Sequence, residues 1–247
     1  MKKSKVFLLS FIIAFVLAGC SNSVSEVGNQ EAEAQKEQEE IALSLANYIS
    51  NDNSQAKAWI KIDGTNIDDP DFQAEDNLYW LRRDEDGSYS VWGCYFADYE
   101  ADLTGTGPSR NTVIYGHSSL NDETEGKRFT ELKKFGIQEF AEEHRYFLFG
   151  TKTEEYVATI FSVGYWPDSA QYLYANPSDQ AFEELIEGAR EHSIYRYDTE
   201  VGKEDRIITL STCTGNDQER FVVMAKLSDH YEGSSKALEV NPSPKGA

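Results

Sequence analysis

The sequence predicts a mainly β fold, a barrel or a sandwich, that carries helices at its ends and in its loops. From Trp59 onward, short β-prone runs are separated by turn signals rich in Gly, Asp and Pro. Only three segments have helical composition, which is too few for the alternating strands and helices of a parallel doubly wound sheet. The chain has 247 residues, 40% of them hydrophobic, enough for one compact domain with appendages.

The predicted strands begin with AWIKIDGTNI, an alternating run that ends at the turn dipeptide Asp63-Gly64. The next candidates in chain order are NLYWLRR, DGSYSVWGCYFADY and NTVIYGHS. The segment RYFLFGTKTEEYVATIFSVGYW predicts a hairpin of two strands. The last two β-rich runs are RIITLSTC and FVVMAKL, which a short loop joins.

Three segments predict helices. EAEAQKEQEEIALSLANYI is rich in helix formers, and its apolar residues Ile41, Leu45 and Tyr48 recur at helical spacing. FTELKKFGIQEFAEEH is helical in composition. The third helix lies after Pro167, where Ser178 can cap its first turn. Its expected buried face consists of Phe182, Leu185, Ile186 and Ala189.

The N-terminus, MKKSKVFLLSFIIAFVLAGC, predicts export. A basic start precedes an apolar run from Val6 to Ala18, which is shorter than the roughly 20 residues of a membrane span and typical of a signal peptide. LAGC resembles the lipobox of bacterial lipoproteins, which implies cleavage before Cys20 and lipidation of its thiol. An ordinary secretory signal or an uncleaved anchor is the alternative. In each case we expect the protein at the extracytoplasmic face of the cell membrane.

The composition argues against several classes of function. The net charge of −20 disfavours a nucleic-acid partner, since phosphate binding relies on clustered Lys and Arg. The sequence has no P-loop, no GxGxxG motif and no Cys/His spacing typical of a metal site, so we expect no cofactor and no metal. The four histidines are too scattered for a metal cluster: His117, His144, His192 and His230.

Two cysteines remain if Cys20 carries a lipid, and they allow two interpretations. In an exported protein, Cys94 and Cys213 can form a disulfide. Alternatively, Cys213 is a nucleophile, because it ends the predicted strand RIITLSTC at the point where a rigid strand meets a loop. Cys94, in the middle of VWGCYF, is then a small core residue.

A thiol nucleophile needs a base or a cation that maintains the thiolate. His117 ends the run NTVIYGH, so it can meet Cys213 at one rim of the domain. Arg220 opens the strand after Cys213, and its guanidinium can stabilise the negative charge that acyl transfer builds on a carbonyl oxygen. The backbone N–H of Thr214 is a natural second donor to that oxygen.

These residues resemble the sortases, the cysteine transpeptidases of Gram-positive bacteria. The resemblance consists of TLSTC at a strand end, an arginine that opens the next strand, and the upstream VIYGH. AWIKIDGTNIDDP is similar to the family's W-x-x-I-x-G-T-x-I-D-x-P motif, and YWLRRDEDGSYSVWGCYFADY resembles the class B members. Two segments depart from the family pattern. DPDFQ stands where YPVVQ is common, and NDETEGKRF replaces a D-G-T-x-F stretch after the histidine loop.

The resemblance implies an eight-stranded β-barrel with an N-terminal helix and a helix in the loop between its sixth and seventh strands. It also implies that Cys213 is the nucleophile, His117 the general acid/base and Arg220 the transition-state arginine. Tyr115, Ser211 and Thr214 are the expected substrate-binding residues. The implied activity is cleavage of a C-terminal sorting signal of secreted proteins through a thioester, followed by transfer to an amine of the cell wall, usually from a peptidoglycan precursor or cross-bridge.

The predicted organisation has five parts. They are a lipoprotein-type signal peptide (1–19), a flexible tether (20–30), an N-terminal helical extension (31–58), the sortase catalytic domain (59–227) and a flexible C-terminal tail (228–247).

Alternatives to a wall-anchoring transpeptidase stay open. A pilus-assembling sortase would use a lysine of a pilin subunit as the amine, and a lipoprotein of the same fold would bind a peptide or a wall polymer without catalysis. Papain-like and NlpC-type peptidases also pair cysteine with histidine. In those enzymes the cysteine comes first in the chain, whereas here His117 precedes Cys213.

Overall fold

The computed structural model describes residues 55–104, 108–121, 123–168, 171–234 and 236–246, together with Ala32 and Lys36. Cys20, the predicted signal peptide and the tether lie outside the described residues, as does the N-terminal helix apart from those two positions. Within these ranges, no helix combines the length and the apolar character that crossing a membrane requires.

Eight strands form a closed barrel, as the resemblance to the sortases implied. In chain order they are β1 (Ala56–Lys61), β2 (Asp68–Phe72), β3 (Tyr95–Ala97), β4 (Asn111–Tyr115), β5 (Tyr146–Thr151), β6 (Glu155–Pro167), β8 (Arg206–Cys213) and β9 (Glu219–Ser228). Around the barrel the order is β1-β2-β3-β4-β8-β9-β6-β5. Two short strands, β7 (Tyr195–Arg196) and β10 (Glu239–Val240), pair with each other outside the barrel.

Strand β8 is buried on both faces, which fixes its position in the wall of the barrel. Ile208 and Leu210 belong to the main core, whereas Ile207 packs beneath a helix. That helix, α2 (Asp179–His192), is the one predicted after Pro167, and Ser178 Oγ accepts a hydrogen bond from the Ala181 N–H at 3.3 Å. The four apolar residues expected to form its inner face are all buried.

Helical structure also follows the loop that begins after His117. A 3-10 helix over Arg128–Gly136 leads into α1 (Gln138–Glu143), where the sequence predicted helical composition. The 3-10 helix buries Phe129, Leu132 and Phe135 in the barrel core. It therefore closes one end of the barrel next to the C-terminal end of β4.

The predicted strand NLYWLRR is instead a turn that ends in a 3-10 helix over Trp80–Arg82. Asp76 Oδ1 accepts hydrogen bonds from the N–H groups of Leu78 and Tyr79 at 2.9 and 2.8 Å, which bends the chain. The Trp80 ring then packs against Phe72, with 4.4 Å between ring centroids. These hydrogen bonds from the backbone to the Asp76 side chain override the β propensity of the segment.

The described part of the C-terminal segment differs from the flexible tail that the sequence suggested. Tyr231 and Leu238 are each only 4% exposed, and β10 pairs with β7. Asn241 Nδ2 donates to the Ser193 carbonyl at 2.8 Å. Two buried apolar side chains thus hold a segment whose Ser, Pro and Gly content indicated a loose end.

Candidate active site

His117 and Cys213 emerge from neighbouring parallel strands. Tyr115 at the end of β4 pairs with Ser211 in β8, and Thr212 Oγ1 donates to the Gly116 carbonyl at 2.7 Å. The same register, continued by two residues, sets His117 beside Cys213. Because parallel strands end at the same rim, two residues 96 positions apart in the chain meet at one end of the barrel.

Arg220 faces Cys213 from the other side. Strands β8 and β9 are antiparallel, and Cys213 with Arg220 is their last residue pair before the connecting loop. In that loop the Thr214 hydroxyl donates to the Asn216 carbonyl and accepts from the Asn216 N–H, both at 3.1 Å. These bonds close a tight turn directly after the thiol. Cys213 therefore lies between His117 on one neighbouring strand and Arg220 on the other.

The two described cysteines are free thiols, so the Cys94–Cys213 disulfide considered from the sequence is absent from this structure. Cys94 is fully buried, and burial raises the pKa of its thiol to about 12. Cys213 is half-buried at the rim. Of these two thiols, only that of Cys213 is accessible to a substrate.

Two surface grooves meet at the thiol and the imidazole. One, of about 430 Å³, is bordered by Cys213, His117 and Arg220 and has apolar walls that include Phe96 and Leu173. The other, of about 530 Å³, also contacts His117 and Cys213. An extended ligand can thus approach the thiol from two directions.

The imidazole of His117 is held through one nitrogen. Nε2 lies 2.9 Å from the Leu81 carbonyl, which accepts a hydrogen bond from the Nε2–H group. In the neutral ring, Nδ1 is therefore the nitrogen that accepts the next proton. Burial lowers the pKa of His117 below its usual value of 6.5. The hydrogen bond to the Leu81 carbonyl opposes this shift, and the nearby cations Arg82 and Arg128 add to it. The described surroundings favour a neutral imidazole.

The Arg220 guanidinium is fixed by its own loop. Nη1 donates to the carbonyls of Asp217 and Glu219 at 2.9 and 2.8 Å, and Nη2 lies 3.8 Å from Asp168 Oδ2. An arginine has five N–H donors, so two bonds from Nη1 leave the donors on Nε and Nη2 for another acceptor. The Arg220 guanidinium is therefore fixed at the rim and still has N–H groups that can donate to a ligand.

Tyr115 and Ser211, two of the residues expected to bind substrate, both border the groove of about 430 Å³. The Tyr115 hydroxyl donates to Asp98 Oδ2 at 2.8 Å, and Ser211 Oγ lies 3.1 Å from the Tyr172 hydroxyl. Burial, and then the Asp98 carboxylate, raise the pKa of Tyr115. Thr214, in contrast, has a buried side chain that bonds within its loop.

Sequence reasoning missed three contributors to this site: Leu81, Asp98 and Tyr172. Leu81 acts through its carbonyl, which no side-chain pattern reveals. Tyr172 lies in the insert before α2, where no motif marks it. Asp98 directly follows β3, and this position of a carboxylate at a strand end is the one sequence signal that could have indicated it as a site residue. Among the described residues, no group of three or more His, Cys, Asp or Glu side chains is placed to hold a metal ion.

The chain is similar to known sortases in sequence. The family model described as Sortase domain matches residues 82–228, which include strands β3 to β9. Sortase B of Listeria monocytogenes is 32% identical over 71% of this chain and 70% of the relative. Sortase B of Staphylococcus aureus is 30% identical over 71% of this chain and 71% of the relative.

Solved structures show the same similarity. Sortase B from Listeria monocytogenes superposes with a TM-score of 0.63 at 30% identity and covers 72% of this chain and 98% of that one. A Bacillus anthracis protein described as similar to sortase B superposes with a TM-score of 0.65 at 32% identity, over 84% of this chain and 98% of that one. Fold, sequence and family match agree, and the chain belongs to the sortase family of cysteine transpeptidases.

Proposed function

We propose that this protein is a class B-type sortase that cleaves a C-terminal sorting signal of secreted proteins and transfers them to an amine of the cell wall. The observation that carries the proposal is the position of Cys213 between His117 and Arg220 at the rim of a groove. The sequence relatives named sortase B support the same class of enzyme.

The first step forms a bond between Cys213 and the substrate. His117 Nδ1 accepts the proton of the Cys213 thiol, and the resulting thiolate attacks the carbonyl carbon of the scissile peptide bond, so that the electron pair of the C=O π bond moves to the oxygen. The unused N–H donors of Arg220, with the backbone N–H of Thr214, stabilise this oxyanion. Fixed donors of this kind typically contribute about 3 kcal/mol each to transition-state stabilisation.

His117 then acts as general acid and as general base. The tetrahedral intermediate collapses, the C–N bond breaks, and protonated His117 gives its proton to the leaving amine, so a thioester remains on Cys213. An incoming amine attacks the thioester carbonyl, and His117 accepts the amine's proton. Collapse of the second intermediate forms the new amide bond and releases the thiolate.

The groove of about 430 Å³ is the proposed site for the sorting signal. Its apolar walls, Leu81, Phe96 and Leu173, suit the side chains of an extended peptide, and the hydroxyls of Tyr115 and Tyr172 are already bonded within the protein. Recognition of the peptide by burial of apolar surface and by ring contacts is therefore favoured over recognition by those hydroxyls.

Anchoring at the extracytoplasmic face of the membrane through a lipid on Cys20 is part of the proposal and rests on the sequence LAGC. Mass spectrometry of the mature protein checks it. A diacylglyceryl modification on an N-terminal Cys20 is the expected result. An intact N-terminus that begins at Met1 would contradict the lipoprotein assignment.

Cleavage of a fluorogenic library of sorting-signal peptides tests the activity. We expect Cys213→Ala to abolish cleavage and Cys94→Ala, the matched removal of a thiol, to retain it. With a cleaved peptide, mass spectrometry should detect an acyl group on Cys213 that hydroxylamine removes. Cleavage by Cys213→Ala at the wild-type rate would refute the covalent mechanism. Competing amines, a short glycine peptide and a lysine side chain, then distinguish a wall acceptor from a pilin acceptor.

A further inference from the structure

Arg128 has a backbone conformation that is unfavourable for a residue with a side chain. Its φ of +53° lies in the left-handed region, where residues other than glycine are uncommon. The side chain is only 15% exposed and lies 3.8 Å from Asp69 Oδ2 and 3.6 Å from Asp84 Oδ1. Its guanidinium carbon lies 5.2 Å from the centre of the Tyr95 ring. These contacts hold the residue in its strained conformation.

The residue after Arg128 holds the backbone of the proposed acid/base. The Phe129 N–H donates to the His117 carbonyl at 2.9 Å. The Phe129 ring lies 4.6 Å from the Tyr95 ring, and Gly116 fits against both rings. A Cβ atom at Gly116 would come within 2.7 Å of Phe129 and 2.8 Å of Tyr95. The position of the backbone at 116–117 therefore depends on the segment that begins at Arg128.

The same arginine also reaches the segment that holds the imidazole. His117 Nε2 donates to the Leu81 carbonyl, and Asp84 lies three residues further along that segment. The ion pair between Arg128 and Asp84 thus links the two segments that bond to His117, one at its backbone carbonyl and the other at its ring.

We propose that Arg128 is a positioning residue for the reaction, which clamps these two segments together and so sets the orientation of His117 beside Cys213. The inference rests on the proposed role of His117 as acid/base. Arg128 and Asp69 lie in NDETEGKRF and DPDFQ, the two segments in which this sequence departs from the sortase pattern.

Steady-state cleavage of a sorting-signal peptide by Arg128→Gly tests the proposal. Glycine adopts φ +53° without strain, so this variant loses the ion pairs and the ring contact while the backbone conformation stays accessible. We expect kcat per titrated Cys213 thiol to fall about tenfold, since displacement of a catalytic group by a fraction of an ångström has effects of this order. KM should stay within about twofold, because Arg128 borders neither groove. Arg128→Lys, which keeps a cation beside Asp84, should recover part of kcat.

Two further variants separate positioning from a general loss of stability. Lys134→Gln is the matched control, because it removes ion pairs to Glu125 and Glu131 from the same 3-10 helix but has no bond to His117. We expect it to keep the wild-type kcat. Asp84→Asn removes the Arg128–Asp84 ion pair through its more exposed partner, so we expect it to lower kcat as Arg128→Gly does. This variant still tests the inference if Arg128→Gly does not fold.

The imidazole signals of His117, assigned by their loss in His117→Ala, give a readout that a purely structural role would not move. We expect them to shift in Arg128→Gly and in Asp84→Asn, and to stay unchanged in Lys134→Gln. A wild-type kcat in Arg128→Gly or Asp84→Asn, an equal loss of kcat in Lys134→Gln, or unchanged His117 signals would each overturn the inference. Full activity of His117→Ala would instead refute the acid/base role, which is a failure of the proposed function itself.

Discussion

Cys213 and Arg220 face each other as the last residue pair of β8 and β9, so the thiol and the guanidinium leave the barrel at the same rim. The two bonds from Arg220 Nη1 to the loop carbonyls of Asp217 and Glu219 hold the cation in place without a substrate. The guanidinium is thus already fixed in position for the oxyanion that we propose it stabilises.

Replacement of Arg220 by alanine should lower kcat for peptide cleavage by about 10²- to 10³-fold, the usual effect of removing one fixed oxyanion donor. Arg220→Lys keeps the charge but loses the planar fork of donors, so we expect an intermediate kcat. Asp168→Asn is the control, because its carboxylate lies 3.8 Å from Nη2, beyond hydrogen-bond distance, and it should change kcat by less than about threefold. Comparable losses in Asp168→Asn and Arg220→Ala would point to the ion pair rather than to the oxyanion.

The protonation of His117 predicts how stability depends on pH. Burial lowers its pKa in the folded protein below 6.5, so the unfolded chain takes up the proton first. The free energy of unfolding should therefore fall as the pH drops from about 6.5 to the lowered pKa. Urea unfolding at several pH values should show a weaker dependence in this window for His117→Gln. An NMR titration midpoint of His117 at or above 6.5 would contradict the prediction.

The sequence alone located the rim residues because each of them sits where a β-prone run meets a turn signal. His117 and Cys213 end such runs, and Arg220 begins one, so closing the barrel brings them together. The hydrogen bonds that surround these residues could not be predicted in this way. The Leu81 carbonyl reaches His117 only because the Asp76 side chain turns a β-prone segment into a bend.

Buried carboxyl groups illustrate the same limit. Asp98 is 4% exposed and accepts a hydrogen bond from Tyr115, whereas Asp71 is fully buried and has no hydrogen-bond partner among the described residues. Both are aspartates at or near strand ends, and composition does not distinguish them from exposed aspartates such as Asp63. Their burial follows from strand register, which depends on pairing between segments that are distant in the chain.

The two described thiols should differ sharply in reactivity. Burial raises the pKa of Cys94 to about 12, and its side chain is inaccessible, so iodoacetamide should leave it unmodified at pH 8. Cys213, half-buried between two grooves, should be alkylated under the same conditions. Peptide mapping of the native protein by mass spectrometry measures both. Faster alkylation of Cys94, or a stable disulfide between the two, would contradict the nucleophile assignment.

Asp71 should make stability depend on pH in the opposite direction to His117. Its side chain is fully buried, and neither carboxyl oxygen has a hydrogen-bond partner among the described residues. Burial, and then repulsion from Asp69, raise its pKa well above 3.8, although Arg128 opposes this. Between the unfolded value of about 3.9 and the raised folded value, the folded protein binds more protons, so stability is lost as the pH rises.

Asp71→Asn removes this titration while it keeps the size of the side chain. We therefore expect the free energy of unfolding of Asp71→Asn, relative to wild type, to increase from pH 5 to pH 8, with a slope of at most about 1.4 kcal/mol per pH unit. Urea unfolding at each pH measures the difference, and the exposed Asp63→Asn controls for the loss of one negative charge. A difference between Asp71→Asn and wild type that stays constant across this range would show that the Asp71 carboxyl is already ionised in the folded barrel.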